Sequence, residues 1–306
     1  MNPEDLVIEG PLSPIWTHEF TGLGDNWHIT NCSMLPFGDK LLLAYRVGWS
    51  GSKVYVAQVH EGMRVDSPKE IVVKHELATG GIEDPRLFVH DGKLHMSFTG
   101  VRVTRGYDTL GRQLVARLNS TMEVEEVWEP KYLWTTQWEK NWQVFGNGGG
   151  LYAIYSIKPW RVVHLIQGKA EPVLEVESGV PWHFGLARGG SPPYRLGNEY
   201  YCFFHGTDHS DRYRGGVSIY TMGVMTFEAR YPFKPLRVTK EPIMWPITSD
   251  LAFNKELKDT HHVACVFPCG AYHEADQWIV SYGHNDKACR VSAFDAKEIE
   301  GRLCPI

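Results

Sequence analysis

A short pattern of polar and apolar residues recurs along the chain. A turn rich in Gly, Asp or Asn is followed by about five apolar residues, the last of them aromatic. The copies are "GDKLLLAYR", "DGKLHMSFT", "GGGLYAIYS", "GNEYYCFFH" and "EADQWIVSYG", with aromatic ends at Tyr45, Phe98, Tyr155, Phe204 and Tyr282. A turn before an apolar run of this length is typical of a β-strand that is entered from a hairpin.

The spacing of these copies predicts the architecture. The first three intervals between neighbouring copies fall within roughly 40 to 60 residues, a period typical of repeats that contain several strands each. The interval from Phe204 to Tyr282 is longer, which predicts an insertion there. We therefore predict an all-β, five-bladed β-propeller that forms a single domain over residues 1–306, with repeats centred near 45, 98, 155, 204 and 282. A β-sandwich is the alternative, although it is not expected to repeat one turn and strand in this way. The best candidate for a short helix is "DAKEIEGRL", near the C-terminus.

Composition excludes several classes of protein. The chain has 306 residues, of which 43% are hydrophobic, and a formal net charge of -5. These values indicate a globular protein and argue against a general nucleic-acid-binding surface. No apolar run approaches the roughly 18 residues needed to span a membrane. The acidic start "MNPEDLVIEG" lacks the pattern of a signal peptide, so we expect a soluble, cytoplasmic protein without a membrane partner.

The cysteines and histidines favour neither disulfides nor a metal site. The six cysteines show no disulfide or zinc spacing, so we expect buried free thiols. The close histidine pairs, His205 with His209 and His261 with His262, lack carboxylate or thiol partners at metal-ligand spacing. We therefore expect no metal and no organic cofactor.

Polar residues stand next to the predicted inner strands. In a propeller, such residues from different blades converge on one axial pocket. Carboxylates there can hold hydroxyl groups, and cationic side chains can hold phosphate, so the pocket suits a polyhydroxylated ligand that reacts with an anion. The residues are Arg46, the run Glu83-Asp84-Pro85-Arg86, Lys140 with Asn141, His205, His284 and Asp286.

Several segments resemble a known family, in the same order along the chain. They are "TNCSMLPFGDKLLLAYRVG", "GGIEDPRLFVHDGKLHMSFTG", "WEKNWQVFGNGGGLYAIYSIKP", "RGGSPPY", "YCFFHGTDHSDRYRGGVSIYTM" and "ACVFPCG" with "VSYGHND". The family is glycoside hydrolase family 130, the mannoside phosphorylases and β-mannoside hydrolases, with the related glycosyltransferase family 108. The resemblance implies a five-bladed propeller and an inverting phosphorylase of β-mannosides or similar short glycosides.

The resemblance also implies roles for individual residues. Asp84 would be the general acid and would protonate the leaving oxygen through a sugar hydroxyl, while phosphate attacks the anomeric carbon from the opposite face. Glu83 would orient Arg86 or raise the pKa of Asp84, and Pro85 would fix the backbone. Phosphate would be bound by Lys140, Lys158, Arg161, Arg188, His205 and Tyr213. The sugar would be bound by Asn31, Ser33, Arg46, Glu83, Arg86, Asn141 and Asp286.

The sequence also departs from the family, and alternatives stay open. Lys158 in "SIKPW" stands where family members often carry an arginine, and Arg161 or Arg188 could compensate. The expected partners are a small sugar substrate and inorganic phosphate or a sugar phosphate, with a homo-oligomer also open. The alternatives are a transferase that uses a nucleotide sugar, a non-catalytic sugar-binding propeller, and a hydrolase. A hydrolase would need an additional carboxylate to activate water, and the sequence offers no clear candidate.

Overall fold

The computed structural model describes residues 10–24, 28–103, 109–132, 136–166, 168–177, 180–209, 218–246 and 263–306. In these ranges the chain consists of β-strands with one short α-helix near the C-terminus, so the all-β prediction is confirmed. No helix within them has the length and apolarity required to cross a membrane.

Consecutive strands form antiparallel groups. Strand β1 (Trp16–Glu19) comes first in the chain and pairs within the last group. Group one contains β2 (Ile29–Phe37), β3 (Lys40–Val47) and β4 (Lys53–His60), with β5 (Arg64–Val65) and β6 (Lys69–Glu70) both paired to β4. Group two contains β7 (Ile82–His90), β8 (Lys93–Val103), β9 (Thr109–Leu118) and β10 (Val124–Trp128). Group three contains β11 (Gln143–Asn147), β12 (Gly150–Ser156), β13 (Trp160–Ile166) and β14 (Lys169–Val176).

The remaining strands form two groups that share one sheet. Group four contains β15 (Leu186–Gly189) and β16 (Tyr194–Leu196), both paired to β17 (Glu199–Asp208), followed by β18 (Ser218–Glu228) and β19 (Pro235–Thr239). Group five contains β20 (Val263–Glu274), β21 (Gln277–His284) and β22 (Ala288–Asp295), with β1 paired to β22. A short parallel pairing between β18 and β20 joins the two groups. Helix α1 (Ala296–Arg302) and β23 (Leu303–Pro305) follow, and β23 pairs with β19. Two 3-10 turns span Glu61–Met63 and Glu76–Ala78.

The recurring sequence pattern corresponds to one strand in each group. Its aromatic ends lie on β3, β8, β12, β17 and β21. Two-residue turns with positive φ at both positions precede three of these strands, for example Asp91 (φ 48°) and Gly92 (φ 69°) before β8. Such turns match the twist of paired strands, which explains why the polar turns marked hairpins in the sequence. The predicted C-terminal helix is confirmed as α1, whose first turn is capped by the Asp295 carboxylate.

Separate apolar clusters fill the spaces between neighbouring groups. Phe98 of group two packs with group one, and Trp142 packs between groups two and three. Phe204 lies between groups three and four, and Tyr282 between groups four and five. Tyr45 lies in the cluster shared by groups five and one. Each group therefore contributes to the apolar core on two sides. All six cysteines are free thiols, as expected, and Cys304 alone among them is not buried.

Hydrogen bonds that involve side chains link the groups further. The Leu87 amide donates to Ser33 Oγ over 2.9 Å, which joins groups one and two. Gln143 Nε2 donates to the Ser191 carbonyl over 2.8 Å, which joins groups three and four. The Met34 amide donates to Ser281 Oγ over 2.7 Å, which joins groups five and one. The contacts thus continue from the last group back to the first.

Candidate functional site

A cavity of about 760 Å³ lies where the first strands of the groups begin. All of the antiparallel groups, or the segments directly before them, contribute to its lining. The predicted residues that line it are Asn31, Arg46, Glu83, Asp84, Lys140, Arg188 and Asp286. The structure therefore brings together residues that are distant in sequence.

β-Bulges near the starts of β2 and β7 direct the side chains of Asn31 and Asp84 into this cavity. The pairing register shifts on β2 between Thr30 and Ser33, and on β7 between Glu83 and Arg86. Asn31 (φ 54°) lies inside the first bulge and Asp84 (φ 55°) inside the second, both in the left-handed conformation that Asn and Asp tolerate best. Each bulge thus places a polar residue, Asn31 on β2 and Asp84 on β7, at an equivalent position near the start of its strand.

Asp84 is held by side chains from group one. Asn31 Nδ2 donates to Asp84 Oδ1 over 2.7 Å, and Arg46 Nη1 lies 3.5 Å from the same oxygen. Thr30 Oγ1 donates to Asn31 Oδ1 over 3.1 Å, so the amide nitrogen of Asn31 faces Asp84. One oxygen of Asp84 thus accepts two hydrogen bonds.

Arg46 connects two acids to the adjacent turn. Its Nη2 lies 2.9 Å from Glu83 Oε1, and the same nitrogen donates to the Trp49 carbonyl over 3.3 Å. Its Nε donates to the Gly48 carbonyl over 3.2 Å. Glu83 therefore pairs with Arg46, and not with Arg86 as expected from the sequence.

The three carboxyl groups have different proton affinities. Burial by itself raises the pKa of Asp84, but nearby cations, Arg46 first among them, and the Asn31 hydrogen bond outweigh it, so the net shift is downward. Burial raises the pKa of Glu83 despite the opposing charge of Arg46. Burial also raises the pKa of Asp286, with a further contribution from the negative charge of Asp84. The free site therefore favours the ionised form of Asp84, whereas Glu83 and Asp286 hold a proton more readily than an exposed carboxyl group does.

Two cations in the cavity have no anionic partner among the described residues. Neither Lys140 nor Arg188 makes an ion pair or a hydrogen bond through its side chain with another residue in the described ranges. Lys140 Nζ lies 5.5 Å from the centre of the Trp138 ring. Positive groups that are not neutralised inside a concave site are suited to bind an anion.

His205 lies behind the wall of the cavity. Its ring stacks on Tyr220 at 5.6 Å between ring centres and lies 4.5 Å from the Phe267 ring. Both aromatic residues line the cavity, whereas His205 itself is buried and is absent from the lining. Burial lowers the pKa of His205 well below its usual value, and the positive charge of Arg188 adds to this shift. His205 is therefore a neutral imidazole that lies directly behind the aromatic side chains lining the cavity.

Three other predicted residues lie beneath the cavity. Ser33 accepts the hydrogen bond from the Leu87 amide. Arg86 is fully buried, and its Nε donates to the Gly190 carbonyl over 2.6 Å. Arg86 also donates to the Asp84 carbonyl and to Asn141 Oδ1, each over 3.0 Å. These residues support the bulges and do not contact the cavity, in contrast to the sugar-binding role expected for them.

Lys158 and Arg161 are not brought to the cavity. Lys158 Nζ donates to the Trp182 carbonyl over 3.3 Å. Arg161 Nη2 lies 2.8 Å from Glu175 Oε1 on the neighbouring strand β14. The phosphate-binding role expected for these two residues is therefore not supported by their positions. Tyr213 lies outside the described residues, as do His261 and His262.

The lining also contains aromatic residues that were not predicted from the sequence. They are Trp49, Trp138, Tyr220 and Phe267. Trp49 follows Arg46 by three residues and Trp138 precedes Lys140 by two, so their proximity in sequence to charged site residues could have identified them. Among the described residues, no cluster of three or more His, Cys, Asp or Glu side chains is arranged to hold a metal ion.

The fold and the cavity define a class: an all-β protein with a polar, carboxylate-containing cavity at the starts of its first strands. Residues 169–301 match the glycoside hydrolase family 130 model, described as beta-1,4-mannooligosaccharide phosphorylase. A 1,2-beta-oligomannan phosphorylase of Thermoanaerobacter sp. (strain X514) is 24% identical over 254 residues, which are 78% of this chain and 76% of that protein.

Solved structures share the fold. A beta-1,2-mannobiose phosphorylase from Listeria innocua, in complex with beta-1,2-mannobiose, superimposes with a TM-score of 0.66 at 17% identity, covering 92% of this chain and 94% of that one. A mannose phosphorylase from Leishmania mexicana, in complex with phosphate ion, gives a TM-score of 0.59 at 15% identity, covering 94% and 89%. These comparisons support the resemblance to glycoside hydrolase family 130.

Proposed function

We propose that this chain is an inverting glycoside phosphorylase that acts on β-mannosides. The observation that carries the proposal is the placement of Lys140 and Arg188, which have no ion-pair partner among the described residues, in the same cavity as the carboxyl cluster around Arg46. A mannoside needs hydrogen-bonding carboxylates and amides, and the attacking phosphate needs cations. The family model and the phosphorylases named above agree with this chemistry.

In the proposed reaction, phosphate lies between Lys140 and Arg188. Asn31, Arg46 and Asp286 bind the hydroxyls of the mannosyl unit whose bond is broken. A phosphate oxygen forms a bond to the anomeric carbon while the bond to the leaving oxygen breaks, and the leaving oxygen takes a proton. The product is a mannose 1-phosphate with inverted configuration at the anomeric carbon.

Asp84 would deliver that proton through a sugar hydroxyl, as the family resemblance implies. The free site favours an ionised Asp84, so the proton has to be acquired as substrate enters and displaces water. Glu83 and Asp286 are the neighbouring carboxyl groups whose pKa values are raised, and either is a suitable source. A proton held within this cluster would not need to come from bulk solvent.

We also propose that the groups form the five blades of a single propeller domain. The apolar clusters between consecutive groups support this arrangement, including the cluster shared by groups five and one. The Met34–Ser281 hydrogen bond between the same two groups supports it as well. In a closed ring the cavity would lie on the axis, which would explain why every group contributes to it.

The test is an assay of β-1,2- and β-1,4-mannobiose with and without inorganic phosphate. We expect mannose 1-phosphate to appear only with phosphate, and NMR to identify it as the α-anomer. The variant Arg188→Ala should raise the KM for phosphate by at least tenfold, because it removes a charge-assisted contact of about 1.5–3 kcal/mol.

The matched control is Arg161→Ala, because Arg161 pairs with Glu175 away from the cavity. It should leave the KM for phosphate unchanged. Release of free mannose at a rate independent of phosphate would identify a hydrolase instead. Release of nucleotide from a nucleotide sugar, with no phosphorolysis, would identify a transferase.

A further inference from the structure

We propose that Trp49, Val103 and Trp138 form a shelf at the cavity mouth that binds the sugar rings on the leaving-group side of the cleaved bond. This inference rests on the proposed function and adds to it a preference for longer substrates. The shelf selects mannosides that extend beyond the disaccharide, because each further ring can lie on an exposed apolar surface.

Trp49 is exposed and yet fixed in position. It is 52% exposed and lines the cavity. Arg46 donates to its backbone carbonyl, and the Arg46 guanidinium carbon lies 5.5 Å from the centre of its ring. The His28 ring lies 5.6 Å from it. Since Arg46 also binds Glu83 and Asp84, the same guanidinium sets the position of Trp49 relative to the carboxyl cluster.

Trp138 is fixed in a different way. Its backbone forms a parallel bridge to Gly111 of β9, and hydrogen bonds of 3.0 Å from the Gly111 and Glu139 amides support the bridge. A Cβ atom at position 111 would lie 2.2 Å from Trp138 Cε3. The ring therefore packs directly on the backbone of β9, and only glycine allows this approach.

Glycines also make the surface between the two tryptophans continuous. A Cβ at Gly81 would lie 2.6 Å from the Ser52 amide nitrogen, so the turn that carries Trp49 packs directly on group two. A Cβ at Gly80 would lie 2.9 Å from Val103 Cγ2. Val103 is 56% exposed and lines the cavity, and Val101, two residues earlier on β8, is paired with Gly111. The segments from Trp49 to Trp138 are thus in contact one after another.

A sugar chain is the occupant that this surface fits. The C–H face of a pyranose ring is apolar and flat, and aromatic faces bind it while its hydroxyl edge stays polar. Hydrogen-bonding groups for that edge lie beside the shelf in Glu83 and Lys140. The shelf also continues directly from the carboxyl cluster, so a ring bound on it belongs to the same ligand as the ring bound at Asp84.

The first experiment measures binding without turnover. Calorimetric titration of β-mannooligosaccharides of two to five units in phosphate-free buffer compares wild type with Trp49→Ala, Trp138→Ala and Trp49→Phe. We expect wild-type affinity to rise with chain length. Trp49→Ala should lose about tenfold for the longer ligands, the size of one aromatic contact, and should no longer discriminate by length. Trp49→Phe should recover part of the loss.

The control is Trp245→Ala, since Trp245 is 41% exposed but does not line the cavity. It should bind every ligand as wild type does. In phosphorolysis, Trp49→Ala should raise the KM for the oligosaccharide and leave the KM for phosphate unchanged, which a general loss of structure would not do.

Unchanged length dependence in both alanine variants would overturn the proposal, and so would a wild type that binds none of the ligands. A change in sedimentation caused by Trp49→Ala, with sugar binding intact, would assign the surface to contacts between protein chains and would overturn it as well. Length-dependent binding without phosphorolysis would leave the shelf in place and reject the proposed reaction.

Discussion

At the scale of single residues, Asp84 combines burial, a strained backbone and two hydrogen bonds to one oxygen. Asp84→Asn keeps the shape of the side chain but cannot donate a proton from a carboxyl group. We expect a loss of turnover of about 10²–10⁴-fold, as is typical when a general acid is removed. Initial rates of phosphorolysis measure the effect.

Arg46 retains its partner Glu83 in this variant, so the fold should persist. The thermal melting curve and the near-ultraviolet circular dichroism spectrum are the controls. A well-folded Asp84→Asn variant with near-normal turnover would remove Asp84 from the mechanism.

The residues of the site differ in how far the sequence could predict them. Arg46, Asp84 and Asp286 were predicted because polar residues beside the repeated strands converge, and Asn31 was predicted from the family resemblance. All four line the cavity. Other predicted positions depended on a detail that sequence does not contain, namely the local direction of each side chain. Arg161 lies on β13 and pairs across the sheet with Glu175, where strand register decides its partner.

At the scale of secondary structure elements, α1 is attached to group four by a cluster of charged residues. Arg237 Nη1 lies 2.6 Å from Glu300 Oε2 and its Nη2 lies 2.7 Å from Glu199 Oε2. Tyr201 also donates to Glu300. The cluster joins the C-terminal helix to β17 and β19.

This cluster gives stability a pH dependence. Burial of Glu300 opposes its ionisation, but the bonds from Arg237 and Tyr201 outweigh burial and lower its pKa below 4.5. A carboxyl group whose pKa is lowered by folding stabilises the protein above its unfolded pKa, and this contribution disappears as pH falls through the folded value. Glu300→Gln should therefore lower the Tm by about 2–4 °C near pH 7, and the difference from wild type should shrink below pH ~4.

Glu298→Gln on the exposed face of the same helix is the matched control, and its Tm should follow that of wild type at every pH. Scanning calorimetry from pH 3 to pH 8 would reject the account if both variants lost the same stability.

The elements were largely predictable because local chemistry defines them. Asp91 and Gly92 form the turn that the sequence indicated, both in the left-handed conformation, and Asp295 caps the predicted C-terminal helix. The pairing of β1 with β22 was not predictable, since these strands lie at opposite ends of the chain and no local signal specifies their register. The bulges at Asn31 and Asp84 were not predictable either, because they depend on pairing with the next strand.

At the scale of the whole molecule, stability is distributed over the apolar clusters between neighbouring groups. The cluster of groups five and one contains Tyr45 and Tyr272, which come from near the two ends of the described chain. The cavity likewise depends on both ends of the described chain, since Asn31 and Arg46 come from group one and Asp286 from group five. The cavity is therefore complete only when the first and last groups are in contact.

Strand β1 is the element that should hold those groups together. It precedes group one in the chain and pairs with β22 of group five, with Trp16 opposite Ala293. The Ile15 amide donates to the Ala293 carbonyl over 2.7 Å just before this strand. Because the Ile15 side chain is 52% exposed, replacing it removes little packing. The main effect of a proline at this position is therefore on the backbone hydrogen bond.

Ile15→Pro removes that hydrogen bond and leaves the acceptor of Ala293 without its partner. We expect a destabilisation of about 1–3 kcal/mol, which is a decrease in Tm of about 2–4 °C for each kcal/mol. Ile15→Ala keeps the amide and should stay near the wild-type Tm. Hydrogen exchange should increase in β1 and β22 of the proline variant and stay unchanged in group three. If exchange increased equally in every group, or if both variants melted together, β1 would not be the element that joins the ends of the chain.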